Sequence, residues 1–163
     1  MKPFLSILSF VLLLAACKKA TDVTSREDSL RGEGGWRQTS GSVKYRIPGT
    51  NQDTTADYWK NVAECYKDNK IVFKENYDGT VQYGANRCDP SEPSIRTFFW
   101  QLLNNDEVLE LNYVGDAFFG AEPVRADITA FSGSSMTLRY TAADTLPGQN
   151  KPTTFTYTNS YSK

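Results

Sequence analysis

A hairpin flanked by two cysteines constrains this chain more than any other stretch. In Glu64–Pro90 (ECYKDNKIVFKENYDGTVQYGANRCDP), Lys70–Asn76 alternates, with Ile71 and Phe73 on one face and Lys70, Val72 and Lys74 on the other. Thr80–Gly84 continues the alternation with Val81 and Tyr83. Between them Asp78-Gly79 is a strong two-residue turn signal, because a primed turn needs positive φ at its central residues. Cys65 lies just before the first strand and Cys88 just after the second, so antiparallel pairing carries both to one end of the hairpin. A Cys65–Cys88 disulfide is therefore expected. Closing a loop of that length is worth about 3 kcal/mol on the chain-entropy account. A bridge of this kind belongs to an oxidising compartment.

Further strands follow the same period. Trp36–Ile47 alternates Val43, Tyr45 and Ile47 against Lys44 and Arg46. Arg96–Leu103 puts Phe98, Trp100 and Leu102 on one face, and Val108–Tyr113 does the same with Leu109, Leu111 and Tyr113, leaving Glu110 outward. Asn104-Asn105-Asp106 joins these two as a tight turn. Val124–Phe131 turns Val124, Ala126, Ile128 and Ala130 inward, and Ser132-Gly133-Ser134 leads to Met136–Ala142, with Met136, Leu138 and Tyr140 inward. Thr153–Tyr161 sets Phe155, Tyr157 and Tyr161 on one face. Pro48–Thr55 reads as a loop, and Asp57–Glu64 as a short helix with Tyr58, Val62 and Cys65 at helical spacing. Sequential antiparallel strands with one apolar face avoid open edges by closing on themselves. The expected fold is all-β: an eight-stranded up-and-down antiparallel barrel with one short helix before the second strand. A two-sheet β-sandwich is the alternative.

The first residues bear on location. After Lys2, Phe4–Leu14 is an apolar run of 11 residues. A membrane-spanning helix needs about 20, so the run suits the core of an export signal. The tetrad Leu14-Ala15-Ala16-Cys17 resembles a bacterial lipobox, which implies that Cys17 becomes the acylated first residue of the mature protein, carrying palmitate-type chains. The alternative is an ordinary secretory signal cut near Ala16, leaving Cys17 free. The resemblance to bacterial lipoproteins implies anchoring in the outer membrane, on its periplasmic or cell-surface face, since Lys18 rather than Asp follows the cysteine. The organisation expected is a signal peptide over 1–16, a lipidated Cys17 and flexible tether over 17–34, and a barrel domain over 35–163. Three cysteines less the lipidated one leave two, an even number in an exported chain.

Composition excludes several functions. With 18 basic and 19 acidic side chains and no basic patch, nucleic acid is not an expected partner. The chain has no His, which removes Ser-His-Asp and Cys-His catalysis and leaves no zinc ligand set. Asp106, Glu107 and Glu110 could be weighed as a carboxylate pair, but the first two sit at a turn and Glu110 alternates outward. Asp68-Asn69 reads as turn chemistry before a strand. No metal, no cofactor and no catalytic residue is expected.

Four stretches carry a resemblance to lipocalin-like lipoprotein domains of Bacteroidetes-type bacteria. They are Gly34-Gly35-Trp36; Cys65-x-Lys67-Asp68-Asn69-x-x-x-Phe73 with Asp78-Gly79-Thr80 and Cys88; Phe98-x-Trp100; and Asp127-Ile128-x-x-Phe131 with Met136-x-Leu138-x-Tyr140. The resemblance implies that Trp36 plugs the closed end of the barrel, with Arg139 as a candidate for the cation that packs over it. The Thr-Asp-Tyr motif of eukaryotic lipocalins is missing. On the inward faces, Phe73, Phe98, Trp100, Leu109, Leu111, Tyr113, Ile128, Met136, Leu138, Tyr140, Phe155 and Tyr157 are the candidate ligand-binding residues. The interior of an eight-stranded barrel either fills with side chains or lines one small cavity. The expected function is therefore a membrane-anchored, non-enzymatic, monomeric protein that binds a small apolar or amphipathic molecule. The alternative is a packed barrel that binds protein or glycan through its loops.

Overall fold

Period-two alternation produces nine antiparallel strands: β1 (Arg37–Arg46), β2 (Asp53–Asp57), β3 (Lys70–Phe73), β4 (Asp78–Gln82), β5 (Ile95–Leu103), β6 (Val108–Asn112), β7 (Val124–Phe131), β8 (Ser135–Asp144) and β9 (Thr153–Ser162). The computed structural model describes residues 25–91, 93–114, 123–145, 150 and 152–163. Cys17 and residues 1–16, the expected export signal, lie outside the described residues. The strands form one sheet in the order β2-β1-β9-β8-β7-β6-β5-β4-β3, a meander from β3 to β9 whose last strand pairs with the first. One face is apolar and buried, and its side chains form a single cluster from Ile71 through Tyr161.

The sheet is not closed into a barrel by strand pairing, and it is one sheet rather than a two-sheet sandwich. Its edge strands are β2 and β3. An isolated bridge links Trp36, just before β1, to Ile71 of β3: Trp36 N–H donates to the Ile71 carbonyl at 2.7 Å and Ile71 N–H to the Trp36 carbonyl at 2.9 Å. Gly34 and Gly35, at φ +97° and +67°, bring the chain to this point. That conformation disfavours any residue with a Cβ.

Local readings differ from the expectation in four places. First, Pro48–Thr55 is not wholly loop, because Asp53–Asp57 pairs with Ser42–Arg46 as β2. Second, the helix expected over Asp57–Glu64 is replaced by a 3-10 turn at Trp59–Asn61 and a single α-turn, α2, at Glu64–Lys67. Third, the stretch expected to be a flexible tether contains a helix over Arg26–Arg31, here α1. The Ser25 hydroxyl caps it by accepting from Asp28 N–H at 3.0 Å, and Leu30 is only 1 % exposed. Fourth, Asp78-Gly79 is not the hairpin turn. Gly79 lies within β4 opposite Phe73, and the reversal runs through Lys74–Tyr77, with Asn76 and Tyr77 at positive φ. The disulfide is present: Cys65 and Cys88 are bridged, their Cα atoms 5.2 Å apart. Beside it the Asp68 carboxylate accepts from Asn86 N–H and Asn69 Oδ1 from Gly84 N–H, so the chain after β4 is held at the same end.

Candidate functional site

The expected interior positions other than Tyr113 share the buried face. Phe73, Phe98, Trp100, Leu109, Leu111, Met136, Leu138, Tyr140 and Phe155 are buried, with Ile128 and Tyr157 half-buried against them. Tyr113 is instead 71 % exposed. Its φ of +68° ends the strand period, so Tyr113 turns outward, edge-on to Phe99 at 6.3 Å, while the next residue, Val114, is buried. A β-bulge between Ile128 and Ala130 likewise shifts β7, leaving Ala130 exposed and packing Phe131 6.1 Å from Trp36.

Most of this face is filled. Side chains lining a void large enough for water would keep accessible surface, yet Phe73, Phe98, Trp100, Leu109, Leu111 and Leu138 keep at most 2 %. Phe73 packs edge-on against Phe98 and Trp100 at 5.8 and 5.2 Å, and the Trp100 indole donates to the Asp78 carbonyl at 2.8 Å. Trp36, fully buried, donates its indole N–H to the Leu30 carbonyl at 2.9 Å. The cation over its ring is the Lys163 ammonium at 4.8 Å. Arg139 is not there; it is paired with Asp127 at 2.9 Å on the exposed face. Burial lowers the Lys163 pKa.

Further along β1, β8 and β9 the lining becomes polar and partly open. Asn159 sits between Gly41 and Leu138 in register and is fully buried. Tyr58, from the link after β2, lays its ring over Gly41, where a Cβ would stand 2.5 Å from the phenol carbon. The Tyr58 hydroxyl donates to Asn159 Oδ1 at 2.6 Å and accepts from Gln38 Nε2 at 2.8 Å. The Asn159 amide in turn donates to the Tyr161 hydroxyl at 3.4 Å. Tyr157 stacks on Tyr140 at 5.1 Å and meets the Tyr58 ring edge-on at 5.8 Å. At the rim, half-buried Tyr45 tilts against Phe155 at 5.5 Å.

Burial raises the pKa of every one of these interior phenols: Tyr58 to about 12, with Tyr140, Tyr157 and Tyr161 also above the ordinary value. Held protonated, they do not act as bases near neutrality. The arrangement can orient one polar group against aromatic walls. Sequence reading missed Asn159, Tyr58, Gln38 and the hydrogen-bonding role of Tyr161. Asn159 occupies the inward parity between Tyr157 and Tyr161, and that was the available signal.

The carboxylates do other work. Asp106 and Glu107 are exposed at the β5–β6 turn. Glu110 faces outward but is covered, accepting from Gln101 Nε2 at 2.6 Å and pairing with Arg125 at 2.5 Å. The Gln101 hydrogen bond, then Arg125, lowers its pKa. Among the described residues no group of His, Cys, Asp and Glu side chains is placed to hold a metal. An open cleft of ≈ 430 Å³ lies between α1 and β3, lined by Asp28, Arg31, Gly32, Val72, Phe73, Lys74 and Glu75. No protein-family model, no curated protein and no solved structure matches the chain.

Proposed function

We propose that this chain is a membrane-anchored lipoprotein, acylated on Cys17, whose sheet is a lipocalin-like barrel that binds a small amphipathic molecule without catalysis. The bridge between Trp36 and Ile71 supports the barrel reading, since it joins β1 to the opposite edge of the meander. Trp36 stands there as the closed-end plug. The observation that carries the binding function is the half-buried rings of Tyr157 and Tyr45 over a hydrogen-bonded amide–phenol set, in which half-buried Gln38 and Tyr58 meet buried Asn159. A mostly apolar site with a few convergent polar groups is what a small-molecule pocket requires. Because the rest of the face is filled, the ligand is small and sits at the tyrosine-rich end.

Native mass spectrometry of the lipidated protein, released from detergent after incubation with a series of alkylphenols and medium-chain alcohols, tests this. The expected result is a one-to-one adduct, weakened about tenfold in Tyr157→Leu, which removes a half-buried aromatic wall of the open part. If no member of the series binds wild type, the ligand reading fails. The second reading, a packed domain that docks a protein or glycan, then takes its place. The exposed pair Phe99 and Tyr113, with Ile95 beside it on β5, favours that reading.

A further inference from the structure

The two ends of the sheet differ, and the chain enters at one of them. The β3–β4, β5–β6 and β7–β8 turns lie at the same end as Trp36, the entry to β1. Helix α1 is fixed to that end. Arg26 donates to the Asp106 carbonyl in the β5–β6 turn, and its guanidinium covers Phe131 at 5.2 Å. Leu30 is buried under Trp36, and Lys163 N–H donates to the Ser134 carbonyl in the β7–β8 turn at 3.1 Å. The chain is therefore held in place from Ser25 onward.

That fixes how far the domain can stand from Cys17. The steps from Cys17 to Ser25 span at most about 30 Å when fully extended. A domain of this size is about 36 Å across. A taut connection falls short of the length of the domain, so the anchor favours the entry end, not the tyrosine-rich end, facing the bilayer. At the entry end the β3–β4 turn carries Tyr77, 56 % exposed with its ring edge-on to Trp100 at 5.9 Å, and the exposed Lys74 and Glu75 precede it. An aromatic ring with a hydroxyl tip beside a cation suits the headgroup layer of a membrane.

We propose that the Trp36 end is a membrane-facing surface, resting on the headgroups beneath the anchor through Tyr77 and Lys74. The tyrosine-rich end then opens away from the bilayer and takes its ligand from the aqueous side. This rests on the reading of Cys17 as lipidated.

Hydrogen–deuterium exchange on the full lipidated chain in phosphatidylethanolamine/phosphatidylglycerol vesicles, against the Cys17→Ser variant in solution, tests the orientation. Exchange in the Lys74–Tyr77 turn should slow roughly threefold or more on vesicles, with the β1–β2 turn at 47–52 unchanged. Lipidated Tyr77→Ser should lose that protection while keeping its lipid. Protection at 47–52 or 95–99 instead, or no change at Lys74–Tyr77 in protein whose intact mass carries the acyl chains, overturns the orientation and leaves the anchor standing. A wild-type mass without acyl chains overturns the anchor and the orientation with it.

Discussion

Gly79 has no side chain because Phe98 occupies its place: a Cβ there would stand 2.2 Å from the ring. Gly79→Ala should therefore destabilise the domain by about 1–3 kcal/mol, as overpacking does. Urea unfolding measures it, and the cost should shrink in a Phe98→Leu background. An equal cost in both backgrounds would mean that the ring contact is not the cause. The sequence marked this same glycine for a turn. Turn signals are local, whereas Gly79 answers to a ring on the neighbouring strand, which no window around position 79 contains. The interior from Phe73 to Tyr157 was legible because each of those residues repeats at period two. Tyr113 was misread because its positive φ breaks the period, and no neighbour in the sequence announces that. Asn159 went unread for another reason: a polar residue at an inward position leaves no hydrophobic signature. Tyr58 was read only as one face of a helix, because its partners Gln38 and Asn159 lie far from it in the sequence.

The elements that escaped sequence reading are those with little apolar content. In β2, Asp53-Thr54-Thr55-Ala56-Asp57 is an edge strand with no buried face, so it has no alternation to show. Helix α1 exposes a single buried residue, Leu30, in a run of charge, and its six residues could not hold a helix alone. Tertiary contact makes it: Leu30 against Trp36, Ser25 as cap, and Arg31 paired with Asp28 at 2.5 Å. Leu30→Ala should cost about 2–5 kcal/mol by cavity formation. It should also release α1 from the sheet, seen as fast amide exchange over residues 26–31 while β8 and β9 stay protected. Retained protection in α1 would show that the cap and ion pair suffice without Leu30. The stapled hairpin, by contrast, was legible as an element, since cysteine placement and strand alternation agree.

At the scale of the whole molecule, buried phenols set an alkaline limit. Tyr58, Tyr140 and Tyr161 have folded pKa values raised by burial above the ordinary 10, Tyr58 to about 12. Ionisation is then easier in the unfolded chain, so stability is intact below pH 10 and falls as the pH rises from there through 12 and beyond. Tyrosinate absorbance of these residues should appear together with loss of β-sheet circular dichroism, in one cooperative step. Titration of all nine tyrosines near pH 10 with the sheet intact would contradict it. The pairing of β1 with β9 has a consequence in time. Arg37 finds its partner at Ser162, so the pairing that completes β1 is the one of greatest sequence separation in the sheet. Until it forms, β1 has only the short, polar β2 to pair with, and its other edge is an open template for a neighbouring chain. The final step of folding is therefore the arrival of β9 between β1 and β8, and a slow, concentration-sensitive refolding phase is the mark it should leave.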